Sequence, residues 1–325
     1  MALQTENHTG TTGKEYPGFI DPATGEIIAP RLGLVCITNS EAVRFRTITR
    51  TRYLALPEEA RSGTLEALYR ENFRRLMGAL TFCIENKIRL YRLSSANFPM
   101  SDLAGDPTGD LILQRMAPEM AEFGEIATAN GIRVVMHPDQ FVVLNSTSPQ
   151  VVENSIKTLE HHAWTMDLLG LPQSAWASLN IHGGKGGRAA ELIEIIPTLA
   201  EPVRNRLALE NDEHAYGAWE ILEICQAAHV PMIFDVHHHV CHEGLTSLED
   251  PSIAELLALA RETWPRPEWQ LTHLSNGRTS FADPAHHDYI TTVPSAFSQA
   301  PWIEVEAKHK EEAIRKLREI WPLAE

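Results

Sequence analysis

Ten residues from Asp235 to Gly244, DVHHHVCHEG, concentrate more metal-binding chemistry than any other stretch of the chain. Asp235 is followed by His237, His238, His239 and His242, and the run is entered from VPMIF, a short apolar segment bounded by Pro231 that reads as a buried strand. Imidazoles beside a carboxylate form a ligand set for zinc, manganese or iron. A solvated, histidine-rich loop is the competing reading of these ten residues alone. The rest of the chain decides between the two.

The elements that position this stretch repeat. LGLVCI reads as a strand, followed by an apolar-striped helix over Thr64–Lys87. IRLYRL is the second strand, with a helix over Gly109–Asn130. IRVVMH is the third, and Ser148-Pro149 opens its helix as N-cap and first helical residue. WASLNIH leads to a helix over Ala189–Val203, RLALEN to one over Tyr216–Ala228, and VPMIFDV to one capped by Asp250-Pro251. WQLTHLS precedes a helix within Ala285–Phe297, and WIEVEAK precedes Glu311–Ile320. Eight strand-then-helix units imply parallel strands joined by right-handed crossovers, closing into a single (β/α)₈ TIM barrel of class α/β. A doubly wound open sheet is the alternative. It is less favoured because no G-x-G-x-x-G or phosphate-loop motif follows a strand, and HGGKGG after the fourth matches neither. Residues 1–30, polar and rich in Thr and Gly, are expected to be poorly structured, which leaves 31–325 as the barrel domain.

Within this frame the polar residues are unevenly placed. His137 ends strand three, His182 strand four, Glu210 strand five, Asp235 strand six and His273 strand seven; Glu304 and Glu306 end strand eight. The carboxyl ends of barrel strands converge on one face, where active sites of this fold sit. Three histidines and four carboxylates exceed what one ion needs, so two or three metals are expected at that face. Clustered divalent ions suit hydrolysis of a phosphate ester, or proton abstraction and isomerisation on a sugar.

Composition narrows the setting. The 325 residues are 43% hydrophobic and 22% charged, as in a soluble globular chain. No apolar stretch is long enough to span a bilayer, and MALQTENHTG lacks a signal-peptide core, so no membrane association is expected. The four cysteines show no paired spacing, pointing to a reduced, cytoplasmic protein. A formal charge of −15 argues against a generic nucleic-acid binder but leaves room for a local basic cleft.

Taken together, RLGLVCIT, RLSSANFP, MHPDQFVVLNS, NIHGGKGG, LENDE, DVHHH, LTHLS and EVEAKHK resemble the UV damage endonucleases, a barrel family related to apurinic endonucleases and xylose isomerases. The likeness runs from about Arg31 to Leu317 with the motifs in family order. It implies metal-dependent hydrolysis of the phosphodiester immediately 5′ to UV photoproducts and other distorting lesions, leaving a 3′-hydroxyl and a 5′-phosphate and initiating excision repair. The partner would be double-stranded DNA, with no nucleotide cofactor and a nucleoid-associated location. The implied ligands are His137, His182, Glu210, Asp235, His238, His273, His286 and Glu306, holding two to three divalent ions: Mn²⁺ first, with Zn²⁺ or Mg²⁺ as alternatives. One ion would take His137, His182 and Glu210; a second would share Glu210 and add Asp235, His273 and Glu306; His238 and His286 would hold a third. Glu210, Glu306 and Lys308 would be the catalytic groups. His237 would stand beside the ligands. Family members commonly carry a metal-site lysine two residues before the strand-seven histidine; here that residue is Leu271, which leaves a third ion fewer protein groups.

The same likeness places Gln140 and Phe141, in HPDQF, as a pair that wedges into the duplex at the lesion; the family pattern more often has Tyr in the second place. Phe keeps the ability to stack and loses the hydroxyl. Arg44, Arg46 and Arg50 in RFRTITRTR form a candidate phosphate-contacting patch after strand one, joined by Lys185 after strand four. Asn39, after strand one, would line the site. A photodimer is poorly stacked, so recognition would read ease of extrusion, with little base-edge readout. The alternatives are a sugar isomerase of the xylose-isomerase type and a catalytically silent metal- or DNA-binding barrel.

Overall fold

The computed structural model of the chain describes residues 19–22, 24–138 and 141–322. Eight short parallel strands close into a barrel: β1 (Arg31–Val35), β2 (Leu90–Ser94), β3 (Arg133–His137), β4 (Leu179–His182), β5 (Leu207–Glu210), β6 (Met232–Asp235), β7 (Leu271–Leu274) and β8 (Trp302–Val305). Sequential strands are neighbours, and β8 pairs with β1 to complete the ring. Both faces of these strands are covered, which is why they read as near-continuous apolar runs.

Pairing register turns strand ends into neighbours. Ser94 pairs with His137, His182 with Glu210, Asp235 with His273, and His273 with Glu304. Alternation along each strand then stacks the barrel interior in layers. Leu90, Val135, Ala208, Ile233 and Leu271 form a buried apolar layer, and the residues two places further on, Arg92, His137, Glu210, Asp235 and His273, form a polar layer above it. Leu271 is thus in the apolar floor beneath His273. At the other end Arg133 is fully buried. Its guanidinium donates to the carbonyls of Trp176 (2.8 Å), Trp269 (2.7 Å) and Ala175 (3.1 Å) and lies against the rings of Trp176, Trp264 and Trp302.

The surrounding helices are α1 (Arg50–Leu54), α2 (Glu58–Glu85), α3 (Thr108–Ala129), α4 (Pro149–Leu168), α5 (Ala189–Ile195), α6 (Glu201–Arg204), α7 (Ala218–Ala228), α8 (Val236–Glu243), α9 (Pro251–Glu262) and α10 (Lys310–Ile320). Several depart from expectation for local reasons. α2 begins six residues before Thr64, because Pro57 sets its start and Glu58 and Glu59 favour the positive end of the helix. The single helix expected over Ala189–Val203 is broken: Pro197 and Pro202 supply no N–H, and a 3₁₀ turn at Ile196–Thr198 separates α5 from α6. No α-helix forms in Ala285–Phe297; a 3₁₀ helix at Ser295–Gln299, entered through Pro294, is the helical element between β7 and β8. The histidine run, met as a possible loop, is helix α8.

Part of the segment expected to be unstructured is ordered. Phe19–Ile20 pairs antiparallel with Ile27–Ile28, and buried Phe19 packs beneath the Arg261 guanidinium of α9 at 4.7 Å. Residues 1–18 and Ala23 lie outside the described residues. Among those described, no helix is long and apolar enough to cross a membrane.

One buried side chain ties the first two loops of the carboxyl face together. Asn72 of α2 accepts from the Arg46 amide (2.8 Å) and donates to the carbonyls of Arg46 and Asn97 (2.8 Å each). Asn72→Ala would leave these backbone groups without that partner, an expected cost of about 1–3 kcal/mol. A denaturation curve with an unchanged midpoint would show that the loops do not depend on it.

Candidate metal centre

The centre is assembled by strand ends and one helix start. Asp235 is both the last residue of β6 and the N-cap of α8: its Oδ1 accepts from the amides of His237 (2.7 Å) and His238 (2.8 Å). Its Oδ2 is buried with no hydrogen-bond partner. The helix ends at Gly244 in the left-handed conformation (φ 63°). An Asp N-cap and a closing glycine around HHH were the signals that could have identified this helix from sequence. Because the helix starts immediately, His238 swings over the strand ends, whereas His237 turns aside and bonds the Asp283 carbonyl through Nε2 at 2.8 Å.

Glu210 lies at the middle. Its Oε2 is 3.1 Å from His137 Nε2; its Oε1 is 2.9 Å from His273 Nδ1 and 3.4 Å from His238 Nδ1. Donor atoms converge in three groups: His137, His182 and Glu210; Glu210, Asp235 and His238; and Asp235, His273 and Glu306. Mixed imidazole and carboxylate donors suit a divalent first-row cation. Two donor atoms of these groups, His182 Nδ1 and Asp235 Oδ2, are buried without hydrogen-bond partners, which is costly unless something else satisfies them. The donor set therefore fits metal ions. The grouping differs in part from that implied by the resemblance. His238 closes on Glu210 and Asp235 as well as lying near His286 (ring centroids 6.3 Å), while His286 lies 3.8 Å from Glu306.

Two flanking residues were missed from sequence. Arg92 on β2 lies 2.7 Å from Glu304 Oε2 and 2.5 Å from Glu306 Oε1, and Glu304 is 3.1 Å from His273 Nε2. An arginine two residues before the end of a barrel strand, in inward register, is the signal that was available. Asn211 exchanges both hydrogen bonds with the Asp235 backbone at 2.9 Å, fixing β6 against the end of β5.

Charge compensation is visible in the protonation equilibria. Burial favours neutral Glu210, but His273, His182, His137 and His238 outweigh it and hold the carboxyl well below its ordinary range. Glu306 is likewise lowered against burial, by Arg92 and His273. Burial favours neutral His238 and His273 too, yet Asp235 and Glu210 raise the first, and Glu210 and Glu304 the second, well above the usual imidazole value. His182 is lowered, chiefly by burial.

The residues expected at DNA are spread around this centre. Phe141 is 78% exposed and borders both the cleft over the metal groups and an adjoining cleft of about 540 Å³ lined by Phe98, Met100 and Met136. Gln140 lies outside the described residues. Arg46, Arg50, Lys185 and Lys308 are exposed. Arg44 is not a free cation: it donates to the carbonyls of Thr38, Val43 and Asn39 and so staples its own loop. Asn39 is exposed, and its amide and that of Ser40 are held by the Glu311 carboxylate of α10 at 2.6 and 2.9 Å.

The family model described as UV-endonuclease UvdE matches residues 30–324. A UV DNA damage endonuclease of Nostoc sp. is 54% identical over 292 residues, 90% of each chain. One of Deinococcus radiodurans is 52% identical over 293 residues, 90% of this chain and 96% of its own. Among solved structures, SacUVDE superposes with a TM-score of 0.74 at 25% identity, covering 90% of this chain and 99% of that one.

The raised imidazoles make the metal-free fold sensitive to pH. A histidine whose folded pKa exceeds its unfolded value, about 6.5, stabilises fully below that value and loses the contribution as pH rises through the folded pKa. His182, shifted the other way, does not titrate in that upper range. In chelator the melting temperature should fall as the pH is raised above about 6.5; a flat profile would contradict the compensation described for His238 and His273.

Proposed function

The chain belongs to the UV-endonuclease UvdE family and is an endonuclease, and on that premise we propose that it incises double-stranded DNA immediately 5′ to UV photoproducts and other distorting lesions. Incision would leave a 3′-hydroxyl and a 5′-phosphate and open excision repair at the nucleoid. The observation that carries this reading is the convergence of His137, His182, Glu210, Asp235, His238, His273 and Glu306 under an open cleft bordered by exposed Phe141. Family membership sets aside the sugar-isomerase alternative.

In this reading the donor groups hold two or three divalent ions, Mn²⁺ being the first candidate, and 31–325 form the catalytic domain. When bound, such ions activate water and stabilise charge on the attacking and leaving oxygens of the phosphodiester. Glu210, common to two donor groups, fixes them relative to one another; Glu306 holds the β8 side of the cleft. His286, beside Glu306, completes that edge. Lys308, exposed past β8, is available to the phosphate backbone, as are Arg46, Arg50 and Lys185 on the neighbouring loops. These contacts would position the duplex and carry no sequence information. Arg44 and Asn39 would serve by shaping the first loop.

Phe141, with Gln140, would fill the space vacated by an extruded lesion, and the adjoining cleft has room for the displaced bases. Damaged pyrimidines unstack at lower cost than intact ones, so the ease of extrusion supplies selectivity.

The deciding experiment incubates purified protein with Mn²⁺ and a duplex carrying one thymine dimer, with products resolved on a denaturing gel. A single cut 5′ to the dimer is expected; cutting at undamaged sites, or none, would overturn the reading. Glu210→Gln should abolish the cut and weaken metal uptake while the chain still folds. Full turnover in that variant would remove Glu210 from its central role. Phe141→Ala should weaken lesion binding by about 1–3 kcal/mol, the worth of a base–aromatic stack. Its melting temperature should hardly move, because the ring is largely exposed; normal lesion affinity would sink the wedge.

A further inference from the structure

Burying a guanidinium inside a barrel is costly unless its charge is met. Arg92 is such a case, its side chain 12% exposed in the polar layer of the interior. Its partners come from β8, which is separated from β2 by β1. The intervening strand carries no side chain beside Glu304, whose register partner there is Gly33; a Cβ at that position would lie 2.6 Å from Leu90 Cδ2 of the apolar floor. One nitrogen, Nη1, then reaches both carboxylates, Glu304 at 2.7 Å and Glu306 at 2.5 Å.

The two carboxylates have different neighbours. Glu304 is fully buried, outside the three donor groups, with Oε2 3.1 Å from His273 Nε2. That oxygen stands at ion-pair distance on the Nε2 edge of the ring, with no hydrogen bond made there, and so borders the side of His273 opposite the other donors. Nδ1 is the atom turned to the other donors: 2.9 Å from Glu210, 3.5 Å from Glu306 and 4.0 Å from Asp235. Glu306 carries its other contact, to His286, on Oε2, so that Arg92 fixes one oxygen and leaves the second available.

We propose that Arg92 and Glu304 are positioning residues for the Asp235–His273–Glu306 group: Arg92 clamps Glu306 directly and orients His273 through Glu304. This rests on the metal reading above. It makes assembly of that group dependent on the β2–β8 ion pair, while the His137–His182–Glu210 group stands without it.

The test uses the full chain, stripped with chelator and titrated with Mn²⁺ alone, with bound metal per chain measured directly. The variants are Arg92→Met/Glu304→Gln, which removes the arginine together with its fully buried partner and leaves Glu306 to His273 and His286, and Glu304→Gln, an isosteric single change. Both should load one class of ions as the wild type does, and should lose another or bind it roughly 10–100-fold less tightly, as is usual when a ligand's supporting partner is removed. Metal-free melting close to wild type would separate this from general loosening of the barrel. If the double variant fails to fold, Glu304→Gln alone carries the decision. Wild-type stoichiometry and affinity in a folded variant would overturn the proposal. So would equal weakening of both classes, which would mean a structural role only. A wild-type chain that takes up no Mn²⁺ would instead overturn the metal reading itself, and this inference with it.

Discussion

Four carboxylates, Glu210, Asp235, Glu304 and Glu306, share one end of a closed barrel with His137, His182, His238 and His273, and three of the four are almost wholly inaccessible. Such a layer can exist only if every negative charge has a counter-charge or donor within reach, because unpaired charge is strongly disfavoured away from water. Arg92 and the raised imidazoles supply that balance in the protein alone, and divalent ions would replace the protons. The rest of the architecture serves this constraint. Strand register makes the groups adjacent, and the apolar layer through Leu271 gives them a dry, rigid floor.

Arg133 and Arg92 show how differently one residue type is accommodated at the two ends of the barrel interior. Arg133 meets no carboxylate: carbonyls of Ala175, Trp176 and Trp269 and three indole faces hold it, and burial lowers its pKa to about 9. Arg92 sits beside two carboxylates, which hold its pKa up against the burial that would lower it. The first sits in a cage of carbonyls and indole faces; the second belongs to the polar layer of carboxylates and imidazoles.

Above the donor groups, hydrogen bonds tie the loops to one another and to the helices. Asn72 ties the first two loops, Glu311 holds the amides of Asn39 and Ser40, and Asn145 donates to Gly183 and Lys185. This rim presents exposed Phe141 and exposed cations on a chain of formal charge −15. Electrostatic attraction to a polyanion depends on the local field at the cleft, so the overall balance does not forbid it.

Much of this was legible in the sequence because barrel logic is local and repetitive. Apolar strands followed by helical stripes gave the eight units, and placing His137, His182, Glu210, Asp235 and His273 at strand ends was sufficient to gather them on one face, since parallel strands in a closed sheet all end together. Helix breaks at Pro197 and Pro202 were equally local, though a continuous apolar pattern hid them. What the tertiary structure decided was pairing across the interior. The meeting of Arg92 with Glu304 and Glu306 depends on closure of the ring, which sets β8 one strand away from β2. His238 joins Glu210 because Asp235 ends one strand and caps the next helix at once. Arg44 and Arg46 look alike in RFRTITRTR, but carbonyls of the folded loop consume one and leave the other exposed. Sequence period fixes which face a residue takes; only three-dimensional closure determines which opposite charge it meets.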